Sequence, residues 1–235
     1  MQSLGKLLTA KGAKKSRKGR EENPHPTQLA RKGGGSGVCP HVTLPMQADY
    51  SVELGREDET LEFPWATPDG RPQYHDLKRN PEAIDEIEEA VHFPELREFL
   101  IGVNAAASLL ETAKCDAWAS TEIHPEEEIF GQPWKFGSYV DCLFTESPER
   151  YSFANHEDLI KRLVALLHHV PDIPASAEFL LRRCFYHEGD ELREGFYLTC
   201  YVFGFGADEA MARQQWGIAL KLVGNALAQL GRDAT

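Results

Sequence analysis

The order of hydrophobic periods downstream of residue 80 constrains this chain more than any other feature, because one helical stretch is followed twice by strand, strand, helix. Asn80-Pro81 supplies a cap with proline at the first helical position, and Ile84, Ile87 and Val91 recur at helical spacing. Pro94 interrupts and restarts the pattern. Leu96, Phe99, Leu100, Val103, Leu109 and Leu110 continue the apolar stripe, so residues 82–112 read as two short helices or one kinked one. Residues 114–123 and 135–145 read as strands of an antiparallel hairpin, joined by His124-Pro125-Glu126-Glu127-Glu128 and the turn-prone Gly131-Gln132-Pro133. A helix then opens at Asn155, with Asp158 in its first turn. Leu159, Leu163, Leu166, Leu167 and Val170 line one face until Pro171. The second pair, residues 177–187 and 196–205 around Gly189 and Gly195, precedes a helix opening at Asp208. That helix carries Ala212, Trp216, Ala219, Leu220, Val223, Leu227 and Leu230, and Gly231 supplies its stop.

Each amphipathic helix needs an apolar sheet face to bury against. The expected fold is therefore α+β, a two-layer sandwich with an antiparallel sheet of about four strands and helices on one face, in the order α-ββα-ββα. The repeated unit suggests internal pseudo-symmetry, although the two halves share no residue-level match. This helix-covered, four-strand pattern is loosely similar to that of acidic bacterial secretion chaperones, and no diagnostic motif accompanies the likeness. Ahead of it, residues 49–73 are acidic and proline-rich, with Phe63-Pro64-Trp65 and the turn signal Pro68-Asp69-Gly70, and are expected to form an irregular or edge-strand lead-in.

Charge divides the chain near Met46. Residues 1–45 hold nine of the 25 Lys/Arg and two of the 37 Asp/Glu, which leaves 16 bases against 35 acids in residues 46–235. The first segment is basic and glycine-rich, with Gly33-Gly34-Gly35-Ser36-Gly37 and almost no apolar periodicity, so it is expected to be disordered. Lys14, Lys15, Arg17, Lys18 and Arg20 could form an arm for nucleic acid or anionic lipid, but aromatic residues that would stack on bases are missing from the run. The favoured expectation is a non-functional extension ahead of a start at Met46. Residues 46–235 then form a single α+β domain, large enough to bury roughly 70% of its unfolded surface without disulfide or metal. Its acidity argues against nucleic acid and anionic membranes as partners.

Cys39, Cys115, Cys142, Cys184 and Cys200 show no paired spacing for a zinc site or a disulfide framework, which points to reduced thiols and a cytoplasmic location. No run approaches the length of a membrane span, and Leu4 to Ala10 lacks the continuous apolar core of an export signal.

Strand alternation sorts the remaining residues by face. Cys115, Ala117, Ala119, Thr121 and Ile123 belong to one side of the first strand, while Phe136, Ser138, Val140, Cys142 and Phe144 form the core side of the second. Phe196, Leu198, Cys200 and Val202 oppose Tyr197, Thr199, Tyr201 and Phe203 on the last. Arg182 and Arg183 stand adjacent, so the third strand divides less clearly. If these faces align, Asp116, Trp118, Glu122, Lys135, Tyr139, Asp141, Tyr197 and Tyr201 gather away from the helices, a mixture suited to a peptide, a cationic ligand or a second copy of the chain. Solvated strand faces commonly carry Tyr, Thr, Lys and acids for pairing alone, which weighs against a dedicated site.

The opposing class is a metal-assisted or hydrolase-like enzyme using Asp116, Glu122, His124 and Asp141. Its support is thin. The His124 region matches no metal motif, His168-His169 suits a helix C-terminus, and Ser120 and Ser138 are not in a nucleophile elbow. Asp208 and Glu209 would repel a phosphate from the Gly204-Phe205-Gly206 turn. The sequence therefore favours an interaction protein over an enzyme, with no cofactor or metal implied.

Overall fold

The computed structural model describes residues 46–65, 74–170 and 172–233. The basic segment, the Pro68-Asp69-Gly70 turn and the Pro171 helix stop lie outside the described residues. Among the described residues six strands and five α-helices follow in chain order: β1 (Gln47–Glu53), β2 (Thr60–Phe63), α1 (Glu88–His92), α2 (Pro94–Val103), β3 (Leu110–Ser120), β4 (Trp134–Phe144), α3 (Ser147–Arg150), α4 (Phe153–Leu167), β5 (Ala175–Glu188), β6 (Glu191–Gly206) and α5 (Glu209–Asp233). Short 3-10 turns occupy Pro81–Glu86 and Pro125–Phe130.

The sheet is mixed rather than antiparallel, and six strands stand where about four were expected. Its order is β1-β5-β6-β4-β3, with β2 also on β5. Both hairpins form as the sequence suggests, and the second lies with β6 against β4. The added strands come from the lead-in. β1 pairs in parallel with β5 from Gln47↔Ser176 to Glu53↔Arg182, and β2 resumes beside β5 at Thr60↔Arg183. Together they make one edge, interrupted by the excursion of residues 54–59. The adjacent arginines hold that excursion from both sides of β5. Arg182 Nε donates to Glu53 at 2.8 Å and its Nη1 to Glu59 at 3.1 Å, while Arg183 Nη2 donates to the carbonyls of Leu54 and Gly55.

One face of the sheet carries the main core. Phe136, Val140, Cys142, Phe179, Leu181, Leu198, Cys200 and Val202 meet Leu159, Leu163 and Leu167 of α4 and Ala212, Trp216, Ala219 and Val223 of α5. Ser138 belongs in this apolar layer because Trp216 Nε1 donates to its hydroxyl at 2.9 Å, satisfying two buried polar groups at once.

Several boundaries differ from the sequence reading. Leu109 and Leu110 continue the helical spacing, but α2 ends at Val103 and β3 starts at Leu110. Asn104 causes that stop: its Nδ2 donates to the Leu100 carbonyl and to Thr112 Oγ1, each at 2.8 Å, and its Oδ1 accepts the Thr112 N–H at 3.1 Å. Ser152, not Asn155, caps α4, with its hydroxyl accepting the Asn155 N–H at 3.2 Å. Gly231 lies inside α5 and does not end it.

Candidate functional site

The second face of the sheet is not simply open. At one end Leu61 and Phe63 of β2 close over Leu143, Cys184, Tyr186 and Tyr197, with Tyr74, Ala113 and Tyr151 at the margin, to form a second apolar cluster. Its polar clamp is Glu111, which accepts from Tyr74 Oη at 2.8 Å and from Arg150 Nη2 at 2.6 Å. At the other end the 3-10 turn of Pro125–Phe130 covers the sheet. Phe130 stacks on Phe205 with ring centroids 4.2 Å apart, and Glu127 receives Lys135 Nζ at 2.8 and 3.0 Å.

Between these covered ends three rows cross the strands in register. The first is Trp118, Gly137, Phe203, Ser176 and Gln47, running from β3 to β1. The second is Asp116, Tyr139, Tyr201, Glu178 and Asp49, with acids at both ends and tyrosines between them. The third contains Asp141, Thr199, Leu180 and Ser51, and Lys114 sits at a bulge of β3 opposite Asp141.

The rings pack against one another in one edge-on, two tilted and one stacked pair. Trp118 lies 6.1 Å from Phe203 and 6.5 Å from Tyr139, Tyr139 lies 6.0 Å from Tyr201, and Tyr201 is stacked at 6.3 Å on Phe203. All four are half-buried. Gly137 makes the arrangement possible, because a Cβ there would stand 2.6 Å from the Phe203 ring and 3.4 Å from Trp118.

In the rows beside the tyrosines runs a buried polar line. Asp141 Oδ1 accepts from Thr199 Oγ1 at 2.6 Å, and Arg182 Nη1 donates to the same hydroxyl oxygen at 3.3 Å. Burial pushes the Asp141 carboxyl from 3.8 up to about 6, against the hydrogen bond from Thr199; Glu59 pushes it further up, while Lys114 and Arg182 pull it down. Burial, followed by the charges of Asp141 and Asp116, also raises the Tyr139 hydroxyl, so the phenol stays protonated at neutral pH.

With the folded value above the unfolded one, Asp141 costs nothing at low pH; the destabilisation grows as pH rises from about 4 to about 6 and levels off above that at about 3 kcal/mol. Asp141→Asn removes that titration. Relative to the parent, the variant is expected to gain about 2 kcal/mol in urea unfolding between pH 4.5 and pH 8. A stability difference that does not change with pH would contradict the burial of this carboxyl.

The sequence-selected residues divide among these environments. Asp116, Trp118, Tyr139 and Tyr201 form the half-open middle, and Asp141 is buried in the row beside it. Lys135 and Tyr197 share the same side of the sheet but are only 5% and 1% exposed, beneath the 3-10 turn and β2 respectively. Glu122 lies beyond the end of β3, is exposed, and donates its N–H to Ser120 Oγ at 3.0 Å. Phe203, Thr199, Arg182, Glu178 and Asp49 complete the site and were not selected. Phe203 and Thr199 already shared the parity of Tyr201, so alternation alone could have found them.

The enzyme constellation does not assemble. Glu122 and His124 lie at the Lys135 end of β4, and Asp141 lies six residues along that strand, roughly 20 Å away at the usual rise. His124 heads the 3-10 turn, where its N–H donates to Glu127 Oε2 at 2.7 Å. His168 Nε2 bonds the Ala48 carbonyl at 2.9 Å, while His169 lines a surface depression of about 240 Å³ with Arg162, Ala165, Leu166 and Leu230 on the helix side. Among the described residues no three His, Cys, Asp or Glu side chains are grouped to hold a metal ion. Nor is any helix among them long and apolar enough to cross a membrane. Compared with known proteins, the chain matches no family model, no curated protein and no solved structure.

Proposed function

We propose that this protein is an interaction protein that receives a segment of another protein on the middle of its sheet. The observation that carries this reading is the set of four half-buried rings, Trp118, Tyr139, Tyr201 and Phe203, left between two covered ends of the same face. Other elements cover comparable side chains at either end, whereas these rings stay half-buried, packed on one another, with acids around them. Pre-packed aromatic side chains offer contact area at low entropic cost and are enriched where proteins bind one another. The buried Arg182-Thr199-Asp141 line borders the platform on the same face.

The test compares binding by the full chain, the Trp118→Ala/Tyr139→Ala variant and an Ile218→Ala control on the exposed side of α5. Proteins retained by the parent and the control, and lost by the sheet variant, are the expected result, with folding of each checked by circular dichroism. Retention of the same proteins by all three forms would remove the face from the reading. Light scattering run in parallel identifies a second copy as the partner if a mass of two chains falls to one in the sheet variant.

A further inference from the structure

The tyrosine row restricts what such a segment can be. Asp116, Tyr139, Tyr201, Glu178 and Asp49 stand side by side on five neighbouring strands, so acids flank the two tyrosines at both ends. Asp116 on β3 and Glu178 on β5 are separated by three strand spacings, or about 14 Å. An extended chain advances about 3.3 Å per residue and repeats its facing side every second residue, so positions four apart face the same way about 13 Å from each other. The position halfway between them faces the same surface and falls over the tyrosines.

From this match we infer that the face takes an extended protein segment lying across the strands, with two basic residues four positions apart and an apolar residue midway. One cation meets Asp116, the other meets Glu178 and Asp49, and the apolar side chain rests on Tyr139 and Tyr201. Charge favours the same partner more broadly, since residues 46–235 hold 35 acids against 16 bases. The inference rests on the binding role of this face and adds the chemistry of what it binds.

Three fluorescent probe peptides test it: Arg-Ser-Leu-Ser-Arg, the same composition reordered as Ser-Arg-Leu-Arg-Ser, and Glu-Ser-Leu-Ser-Glu. Fluorescence anisotropy against the full chain at low ionic strength should rank the first about fivefold tighter than the second, with the third not binding. Asp116→Asn and Glu178→Gln should each weaken the first peptide about two- to fivefold, in the range of exposed ion pairs, and added salt should erase the difference between variants. Equal binding of the first two peptides overturns the inference, as does indifference to both substitutions or binding of none of the three. If the peptides fail while the Trp118→Ala/Tyr139→Ala variant still loses its partner, the basic pair is wrong and the binding face stands. If neither responds, both readings fall.

Discussion

Gly204→Ala is expected to destabilise the protein by about 3 kcal/mol, the upper part of the usual range for overpacking, and to lower the melting temperature by roughly 6 to 12 °C. Gly204 sits on the helix-facing side of β6, where α5 crosses the sheet. A Cβ at this position would lie 2.0 Å from the Trp216 nitrogen and 2.5 Å from the Ala212 carbonyl oxygen. Both are backbone atoms of a helix, so no side-chain rotation relieves the clash and α5 must move as a body. That motion would also pull Trp216, which is fully buried, from Ser138 and from Phe136 at 4.7 Å. Gly102→Ala gives the contrast, because nothing lies within 4 Å of the added carbon and the residue is in α2. It should raise stability by up to about 1 kcal/mol through helix propensity. Thermal unfolding followed by circular dichroism separates the two, and a Gly204→Ala protein melting with the parent would disprove this close approach of helix and sheet.

The parts of this fold that were legible in the sequence are those whose pattern and partner lie close together. Alternation placed Phe136, Ser138, Val140 and Cys142 beneath the helices, and the hairpins β3-β4 and β5-β6 join neighbours along the chain. Residues 49–73 were legible as an irregular or edge-strand lead-in, but the parallel pairing of that edge was not, since Glu53 meets a partner at Arg182, far along the chain. Nor could alternation resolve β5, because its buried apolar residues change parity. Ala177, Phe179 and Leu181 face the helices, whereas Cys184 and Tyr186 face the opposite way into the second cluster. That change follows β2, whose Leu61 and Phe63 need a cover on the other side of the sheet. The same strand explains why Tyr197 is buried although its parity matches that of Tyr201. Lys135 is covered for a different reason: the acidic connection folds back as a 3-10 turn and brings Glu127 onto it.

Arg150→Ala is expected to cost about 3 to 5 kcal/mol, the range for leaving a buried charge without its partner. Glu111 is the more enclosed member of the pair, at 7% side-chain exposure against 19% for Arg150. Without the guanidinium its carboxylate keeps the hydroxyl of Tyr74 and loses a charged donor 2.6 Å away. Arg150 also donates from Nε to the Phe144 carbonyl at 2.8 Å and lies over the rings of Phe63 and Tyr186, so truncation removes packing from the second cluster as well. Glu111→Gln should be milder, because the amide oxygen can still accept from Tyr74 or Arg150, and the arginine left behind reaches solvent more readily. Arg150→Met combined with Glu111→Gln should recover much of the loss, since no buried carboxylate then remains and the methionine refills the space over Phe63. Chemical denaturation of these three variants and of Arg150→Met alone distinguishes a clamp made by a buried ion pair from one made by ring packing alone. If the charge matters, the double variant is more stable than Arg150→Met alone; if only packing matters, the two match and both exceed Arg150→Ala. In either case the end of the sheet that carries Tyr197 depends on Arg150, and that end sets where the half-open aromatic middle begins.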